Sequence, residues 1–518
     1  MILAWLIIIL LIGGLLACFL EWRKPGIAKW ISLGALLLDF VLLVRIWFNY
    51  SNNLLSGAGE ELFLVFKADW IPAFGIEFHL ALDGLGLVML LLTAFLGILG
   101  VLVSWTHITD KTGFYYLNLL WTLAGIMGVF IAFDLFLFYL FWEVMLVPMY
   151  FLISIWGHTN RVYAAYKFFI YTQLGGLLML LSIMGMYFIH GSQSGTYTFN
   201  YFELLDTSLA PVQATWLMFG FLIAFFIKLP VLPLHNWLPD AHAEAPTAGS
   251  VILAGLLLKT GAYGLLRFVI PFFPDAARSI AIPAMVMGVC GILYGAKLAF
   301  AQTDFKRLVA YTSVSHMGFV VIGVFAFNAL ALQGVIMQLV AHGLSTGALF
   351  ILAGILYERT GTRDLDKTGG LWASVPRMGS AGLILALASM GLPGLANFVA
   401  EFMILAGTFV ASRWITVFAA LGLIAAAIYA LRIMQKIFFG KRENGAVIRD
   451  LNPREMLVIA SVVFFLVFLG LYPKPVTNTV DPAIHEIIQR TERPENNIGE
   501  IDLLKEKGII GLADHGTN

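Results

Sequence analysis

Four ionisable residues lie deep within long apolar stretches of the sequence: Glu143, Lys228, Lys259 and Glu401. A charge in the middle of a membrane-spanning helix costs about 2.5–3.5 kcal/mol on insertion scales. Such residues are therefore rare in membranes, and they usually mark the route of an ion or a proton. The presence of four of them predicts that something charged moves across a bilayer through this chain.

Glu143 lies in FWEVMLVPMY and Lys228 in FFIKLPVLPLHNW. Burial favours the neutral form of either side chain, whereas a nearby opposite charge favours the charged form. A glutamate with a movable lysine partner can thus be switched between its two protonation states. The alternatives are a fixed Glu–Lys pair that only joins two helices and, for Lys228, a side chain that extends to the membrane surface.

Lys259 occupies the middle of an apolar stretch, in LLLKTGAYG, and Glu401 follows a proline-containing break, in MGLPGLANFVAEF. His316 (TSVSHMGF) and His342 (QLVAHGLS) are suited to pass protons near neutral pH. The alternative for Glu401 is an acid at the membrane interface. For the two histidines it is a hydrogen bond between helices.

A further group with metal-ligand side chains occurs within HNWLPDAHAE: His235, Asp240, His242 and Glu244. Their spacing matches no recognised metal motif, so we expect them at the cytoplasmic mouth or at helix ends rather than at a metal. Arg432 and Lys436 lie near the end of a later apolar stretch, where they either extend to the surface or form a gate.

The composition indicates the element that must position these residues. Of 518 residues, 60% are hydrophobic and 12% are charged, about half the charge of a soluble domain. The formal net charge is +0, so no basic surface for nucleic acid is expected. Dinucleotide and phosphate-loop motifs do not occur, and the two cysteines, Cys18 and Cys290, suit neither a disulfide framework nor a metal centre. The chain is predicted to be an all-α polytopic membrane protein.

A helix needs about 20 apolar residues to cross a bilayer, and the sequence offers about 14 such stretches. The predicted spans are 2–20, 30–48, 82–104, 114–132, 134–156, 167–190, 215–238, 249–270, 279–300, 308–327, 332–357, 377–411, 414–438 and 455–472. Pro230 and Pro233 interrupt the seventh span, and Pro393 interrupts the twelfth. The first is expected to remain uncleaved, because its basic residues follow the apolar run.

The basic residues of the loops predict the orientation, since cytoplasmic loops are enriched in them. One set of loops holds Arg23, Lys24, Lys29, Lys111, Arg161, Lys167, Lys306, Arg307, Arg359, Arg363, Lys367, Arg377, Lys441, Arg442, Arg449 and Arg454. The other set holds Lys67, Arg278 and Arg413, apart from the C-terminal tail. Both termini, loop 49–81 and tail 473–518 are thus predicted on the outer side of a bacterial inner membrane. A short helix is expected near 481–490, with fraying after it.

The ionisable positions recur at a constant offset. Glu143 and His316 are 173 residues apart, as are Lys228 and Glu401, and Lys259 and Arg432. Five spans separate the two sets, which predicts two inverted five-helix repeats, spans 4–8 and 9–13. The expected units are 1–113 with the first three spans, 114–270, 271–438, 439–472 with the last span, and 473–518.

The segments FWEVMLVPMYFLISIWG, KLPVLPLHNWLPDAHAEAPTAGSVILAGLLLKTGAYG and AYTSVSHMGF resemble the antiporter-like subunits of respiratory complex I, NADH:quinone oxidoreductase. The resemblance extends from span 1 to span 14 and is closest to the M type, the counterpart of mitochondrial NADH dehydrogenase subunit 4. Glu401 supports this, because the L and N types have lysine there. So does the end of the chain after span 14, without the lateral helix of the L type.

The resemblance implies a proton channel. Its proton-carrying residues match Glu143, Lys228, Lys259, His316, His342 and Glu401. The flavin (FMN), the iron–sulfur clusters and the quinone site are then expected on partner subunits, with no cofactor or metal on this chain. The expected partners are other membrane subunits of the complex, especially the L- and N-type subunits, together with lipids. The alternatives are a subunit of a cation/proton antiporter or of a membrane-bound hydrogenase, and a structural membrane scaffold.

Overall fold

The computed structural model describes residues 1–55, 62–440 and 448–492, and these are mainly helical. The helices are α1 (Ile2–Arg23), α2 (Ile27–Leu55), α3 (Gly84–Ser104), α4 (Thr112–Ile131), α5 (Leu135–Trp156), α6 (Arg161–Ser194), α7 (Tyr201–Leu205), α8 (Pro211–Lys228), α9 (Trp237–Glu244), α10 (Thr247–Phe272), α11 (Pro274–Ser279), α12 (Ala281–Ala301), α13 (Phe305–Val324), α14 (Ala329–Thr360), α15 (Pro376–Ser389), α16 (Ala396–Ala411), α17 (Arg413–Phe438), α18 (Pro453–Leu471) and α19 (Lys474–Glu492). Short 3-10 turns occupy Pro72–Phe74, Leu365–Lys367 and Leu371–Ala373.

Thirteen of these helices are long and apolar enough to cross a membrane. They account for thirteen of the fourteen predicted spans. The twelfth consists of the two shorter helices α15 and α16, which are separated by residues 390–395. The all-α class and the multi-pass architecture are therefore confirmed, and the break near Pro393 lies where the sequence predicted it.

Polar residues at the helix starts explain where several spans begin. Asp83, Asp134, Asp304, Asn328 and Asn452 each accept a backbone hydrogen bond from the first turn of the helix that follows. Such caps satisfy amide groups that have no partner within the helix. Each cap thereby fixes the level at which a span starts, and with it the depth of the ionisable side chains farther along.

The centre of the bundle is formed by α10 and α14. Their most apolar stretches are 100% buried, whereas those of α2 and α18 are only 28% buried. Helix α10 also contains two π-helical turns, Leu253–Leu257 and Leu265–Val269. Because α10 carries Lys259 and α14 carries His342, the sequence places its central ionisable residues where other helices screen them from lipid.

The segments outside the bundle differ from the sequence prediction. The second helix continues to Leu55, so the loop predicted from residue 49 begins later. Four short strands follow, which were not predicted: β1 (Leu64–Phe66) pairs with β4 (Leu80–Leu82), and β2 (Asp69–Ile71) pairs with β3 (Ile76–Glu77), both antiparallel. The tail helix α19 begins at Lys474, earlier than expected, and packs against α3 and α14. The predicted fraying lies beyond the described residues.

Candidate functional site: a buried line of ionisable residues

The seventh span is broken directly after Lys228. Helix α8 ends at this residue, and α9 begins at Trp237. The indole Nε1 of Trp237 donates a 2.8 Å hydrogen bond to the carbonyl of Ile227, a group that the end of the helix leaves free. The prolines at 230 and 233 prevent the helix from continuing. The predicted discontinuity between Lys228 and Leu234 is thus confirmed.

Lys228 is enclosed by aromatic rings. Its side chain is 1% exposed, and its Nζ lies 5.1 Å from the ring centroid of Trp142 and 5.5 Å from that of Phe168. No hydrogen-bond partner of Nζ occurs in the described structure. Ring faces attract a cation more weakly than a carboxylate does. The alternative in which Lys228 extends to the membrane surface is wrong, because the side chain stays inside the bundle.

Glu143 is partly exposed at the junction of α5 and α6. The amide Nε2 of Gln173 lies 3.5 Å from its Oε1. Both Glu143 and Lys228 belong to the described residues, and Lys228 Nζ has no hydrogen-bond partner among them, so no direct contact joins the amine to the carboxylate, although opposite charges attract over longer distances. The alternative of a fixed contact pair that joins two helices is therefore wrong for this conformation.

A glycine brings α10 against the break. A Cβ atom at Gly261 would lie 2.7 Å from the carbonyl oxygen of Phe225 and 3.0 Å from the Cβ of Lys228. Only a residue without a side chain permits so close an approach of two backbones. The approach places α10, which carries Lys259, next to the helix end that carries Lys228.

Lys259 begins an unbroken series of contacts across the centre of the molecule. Its Nζ lies 2.6 Å from Nδ1 of His342 and also donates to the carbonyl of Ala254. The rings of His342 and His316 have centroids 5.6 Å apart. Nδ1 of His316 lies 3.0 Å from Oε1 of Glu401. Four of the six residues predicted to carry protons therefore form one line, which we call the central line: Lys259, His342, His316 and Glu401.

Three residues that the sequence analysis missed surround His316. Gln338 Nε2 lies 3.4 Å from its Nδ1, while Tyr429 Oη and Ser389 Oγ lie 3.2 and 3.5 Å from its Nε2. Gln338 precedes His342 by four residues, so the two share a face of α14. That spacing could have identified Gln338 from the sequence as a neighbour of His342. The sequence carries no comparable signal for Tyr429 or Ser389, whose positions depend on how α17 and α15 pack.

Glu401 lies beside the break of the twelfth span. Its side chain is 2% exposed, so the alternative of an acid at the membrane interface is wrong. Gly391 has a φ angle of +73°, and a Cβ there would lie 2.6 Å from Oε2 of Glu401. This oxygen has no hydrogen-bond partner in the described structure. Oε1 of Glu401 therefore carries the contact with His316, while Oε2 faces the break of the span.

The weaker candidates lie elsewhere. Asp240 pairs with Lys167 at 2.7 Å and with Arg307 at 3.1 Å, and Glu244 pairs with Arg363 at 3.6 Å. These are helix-end ion pairs, as expected.

The histidines of the same segment are buried: His242 stacks on Phe350 with ring centroids 4.8 Å apart, and His235 packs edge-on against Tyr294. Arg432 lies over the ring of Phe300, and Lys436 pairs with Asp366 at 2.7 Å near the surface. Neither contacts the central line.

A cavity of about 280 Å³ opens at the end of the bundle that carries these ion pairs. Its lining includes His158, Glu358 and Lys306. Lys306, which was counted among the basic residues of the loops, instead lies in the first turn of α13: its side chain is 0% exposed, and its Nζ donates to the carbonyl of Ala245 at 2.8 Å. Burial, with the charges of Lys306 and Arg363, lowers the pKa of His158 to about 3, so this ring is neutral at pH 7.

Comparison with known proteins relates this arrangement to one family. Residues 132–428 match the family model described as NADH:quinone oxidoreductase/Mrp antiporter, TM. NADH-quinone oxidoreductase subunit M of Pseudomonas aeruginosa is 50% identical over 497 residues, covering 94% of this chain and 98% of the relative. The protein of the same name from Escherichia coli strain K12 is 50% identical over 498 residues, with the same coverage of both chains.

Solved structures agree with these relatives. A chain of respiratory complex I from Thermus thermophilus with bound NADH has a TM-score of 0.85 and 32% identity, covering 94% of this chain and 100% of that one. A chain of the Mrp complex from Dietzia sp. has a TM-score of 0.80 at 21% identity, over 95% of this chain and 99% of that one, and shows the shared fold.

Proposed function

We infer the route of protons from one premise: the chain belongs to the family of antiporter-like membrane subunits of NADH:quinone oxidoreductase, and within it to the subunit M group. It is a proton-translocating membrane subunit of complex I and does not itself carry out the redox reaction. The cofactors of that complex lie on other subunits. The inference concerns which residues of this chain move the proton.

The finer assignments are part of the proposal. We place both termini, with the loop before α3, on the outer side, because the basic loops favour the cytoplasm. The units 114–270 and 271–438 are proposed as inverted repeats, here the first half and the second half. L- and N-type subunits are proposed as neighbours, and FMN, iron–sulfur clusters and quinone are assigned to other chains.

The proton is proposed to enter through the 280 Å³ cavity, which lies among the basic loops. A space of this size with several polar partners holds ordered water. From there the proton reaches Lys259. Glu143 and Lys228 control this loading. A change of charge at the partly exposed Glu143 alters the electrostatic potential at the unpaired Lys228. It also alters the potential at Lys259, because Gly261 brings the helix that carries Lys259 against Lys228.

Transfer along the central line then leads to Glu401. The observation that carries this proposal is the short contact between Lys259 and His342, since it joins an amine to an imidazole across the boundary between the halves. His316 continues the line and delivers the proton to Oε1 of Glu401, and the protonated carboxyl releases that proton toward the outer side beside the break of the twelfth span. Against a potential of 100 mV each proton requires about 2.3 kcal/mol, which the redox reaction supplies.

Replacing Lys259 tests the proposal. Lys259→Met retains the apolar stem and removes the exchangeable proton, so NADH-driven proton uptake into membrane vesicles should fall at least roughly tenfold, a barrier change of about 1.4 kcal/mol. Uptake is measured per assembled complex.

Lys436→Met is the matched control, because in the described part of the chain this lysine forms an ion pair with the exposed Asp366 and does not contact the central line. It should pump normally, which also tests the alternative that Lys436 is a gate. Equal pumping by both variants in assembled complex would contradict the central line and favour the scaffold alternative.

A further inference from the structure

A second buried cation lies on the same helix as Lys259, toward the end of the bundle opposite the cavity. Arg267 follows Lys259 by eight residues, or roughly 12 Å along the axis of α10. It forms an ion pair with Asp83, and both side chains are only 3% exposed. The end of α10 beyond Arg267 packs against the tail helix α19. The pair therefore lies between Lys259 and the side to which protons are finally delivered.

The guanidinium of Arg267 is held by contacts on several sides. Its Nε donates to Oη of Tyr263 at 3.3 Å, and its guanidinium lies 4.9 Å from the ring centroid of Phe133. The two oxygens of Asp83 are both engaged: Arg267 binds Oδ2, and the backbone N–H of Gly86 donates to Oδ1 at 2.8 Å. Asp83 is in turn fixed as the cap of α3.

Tyr263 lies between Lys259 and Arg267, four residues from each, on one face of the helix. Its hydroxyl donates to the backbone carbonyl of Phe130 at 3.0 Å. Its ring packs edge-on against the ring of Phe130, with centroids 5.2 Å apart. A hydrogen bond that ends on a backbone carbonyl cannot pass a proton onward, because an amide does not exchange its proton in the way an acid or amine does.

We propose that Arg267, Asp83 and Tyr263 form a proton-tight seal at the outer end of the first half, which forces the proton of Lys259 sideways to His342. A guanidinium remains protonated under all physiological conditions, so it cannot act as a relay, and arginine is used in other channels to exclude protons. This inference rests on the proposed role of Lys259. Without the seal, Lys259 has a direct route past position 267 to the outer side, and protons that have reached that side can return along it instead of staying there.

The seal is tested with a lysine in place of the arginine. Arg267→Lys retains the positive charge and the pairing with Asp83, but a buried amine releases its proton far more readily than a guanidinium. Purified complex I carrying the variant is reconstituted into lipid vesicles, a pH gradient is imposed without NADH, and its decay is followed with a pH-sensitive dye. Decay should be roughly tenfold faster than with the unaltered complex, equivalent to a barrier lower by about 1.4 kcal/mol. Fewer protons should be pumped per NADH, while NADH oxidation continues.

Lys67→Met is the matched control, because Lys67 forms a 2.9 Å ion pair with Glu77 at the same end of the molecule but is 46% exposed. It should leave the decay unchanged. Arg267→His is the second variant, since imidazole exchanges protons near neutral pH. Its leak should exceed that of the control as well. Vesicles as tight as those with unaltered complex for both Arg267 variants, or loss of assembly in both, would overturn the proposal and make the pair a structural clamp.

The source of the leak separates this inference from the proposed function. Adding Lys259→Met to Arg267→Lys should restore slow decay of the pH gradient, because the proton-exchanging amine of Lys259 is then missing. A leak that persists in the double variant would show that protons bypass Lys259, and the seal would be wrong as proposed. The proposed function itself fails on a different result, namely normal pumping by Lys259→Met alone.

Discussion

The two proposed halves of the molecule differ at positions that share one sequence offset. Glu143 and Lys228 in the first half are related to His316 and Glu401 in the second by the same offset of 173 residues. In the first half the lysine amine has no hydrogen-bond partner in the described structure, so it makes no direct contact with the carboxylate of Glu143. In the second half the two side chains are in contact at 3.0 Å, and Gln338, Tyr429 and Ser389 hold them.

We infer from this difference that the two halves have different functions in the proposed mechanism. A buried amine without a partner is costly, and its stability depends strongly on any charge placed nearby. Hydrogen bonds from several side chains, such as those around His316 and Glu401, keep a donor and an acceptor in position. The first half is therefore suited to respond to a charge, and the second half to transfer a proton. In the proposed mechanism, the partly exposed Glu143 is the position at which a neighbouring subunit supplies that charge.

The largest effect is expected from Glu143→Ala. Removing this carboxylate takes away the charge that acts on Lys228, so loading of the line loses its control. NADH–quinone turnover and proton uptake should both fall at least roughly tenfold, while the complex assembles. Glu143→Asp, which keeps the charge on a shorter side chain, should retain part of both activities. Normal pumping by the alanine variant would eliminate the control function assigned to the first half.

A smaller loss is expected in the second half from Glu401→Gln. Glutamine has nearly the same shape but no exchangeable acid proton, so the fold should persist while NADH-driven proton uptake is impaired. Glu401→Lys restores one exchangeable proton at the same place, and we expect it to retain more activity than Glu401→Gln or Glu401→Ala. If the three variants pump equally well when normalised to assembled complex, protons must leave the chain at a residue other than Glu401.

Much of this arrangement could be predicted from the sequence, because charges and prolines in apolar stretches are costly and therefore informative. The line residues and the breaks of the seventh and twelfth spans were found in this way. Lys306 was misjudged, because a lysine at the start of a span looks the same whether it faces water or a cavity. Whether a pair is in contact, as for His316 and Glu401 but not for Glu143 and Lys228, depends on helix packing between distant segments, which one sequence does not encode locally.

The smallest effect tests whether the contacts around His316 matter one by one. Tyr429→Phe keeps the ring and removes the hydroxyl that lies 3.2 Å from Nε2 of His316. A hydrogen bond contributes about 0.5–1.5 kcal/mol net, so uptake should fall by roughly two- to tenfold, less than for either acid. Tyr116→Phe is the control, because the Tyr116 hydroxyl is equally buried and has no hydrogen-bond partner in the described structure.

If the network orients His316 towards Glu401, the Tyr429 variant loses activity and the Tyr116 variant does not. Adding Tyr429→Phe to Glu401→Gln should then cause little further loss, since both changes interrupt the same step. A full additive loss in that double variant would mean that Tyr429 acts independently of the central line. The second half would then not be a single proton-transfer network, and this contrast with the first half would be lost.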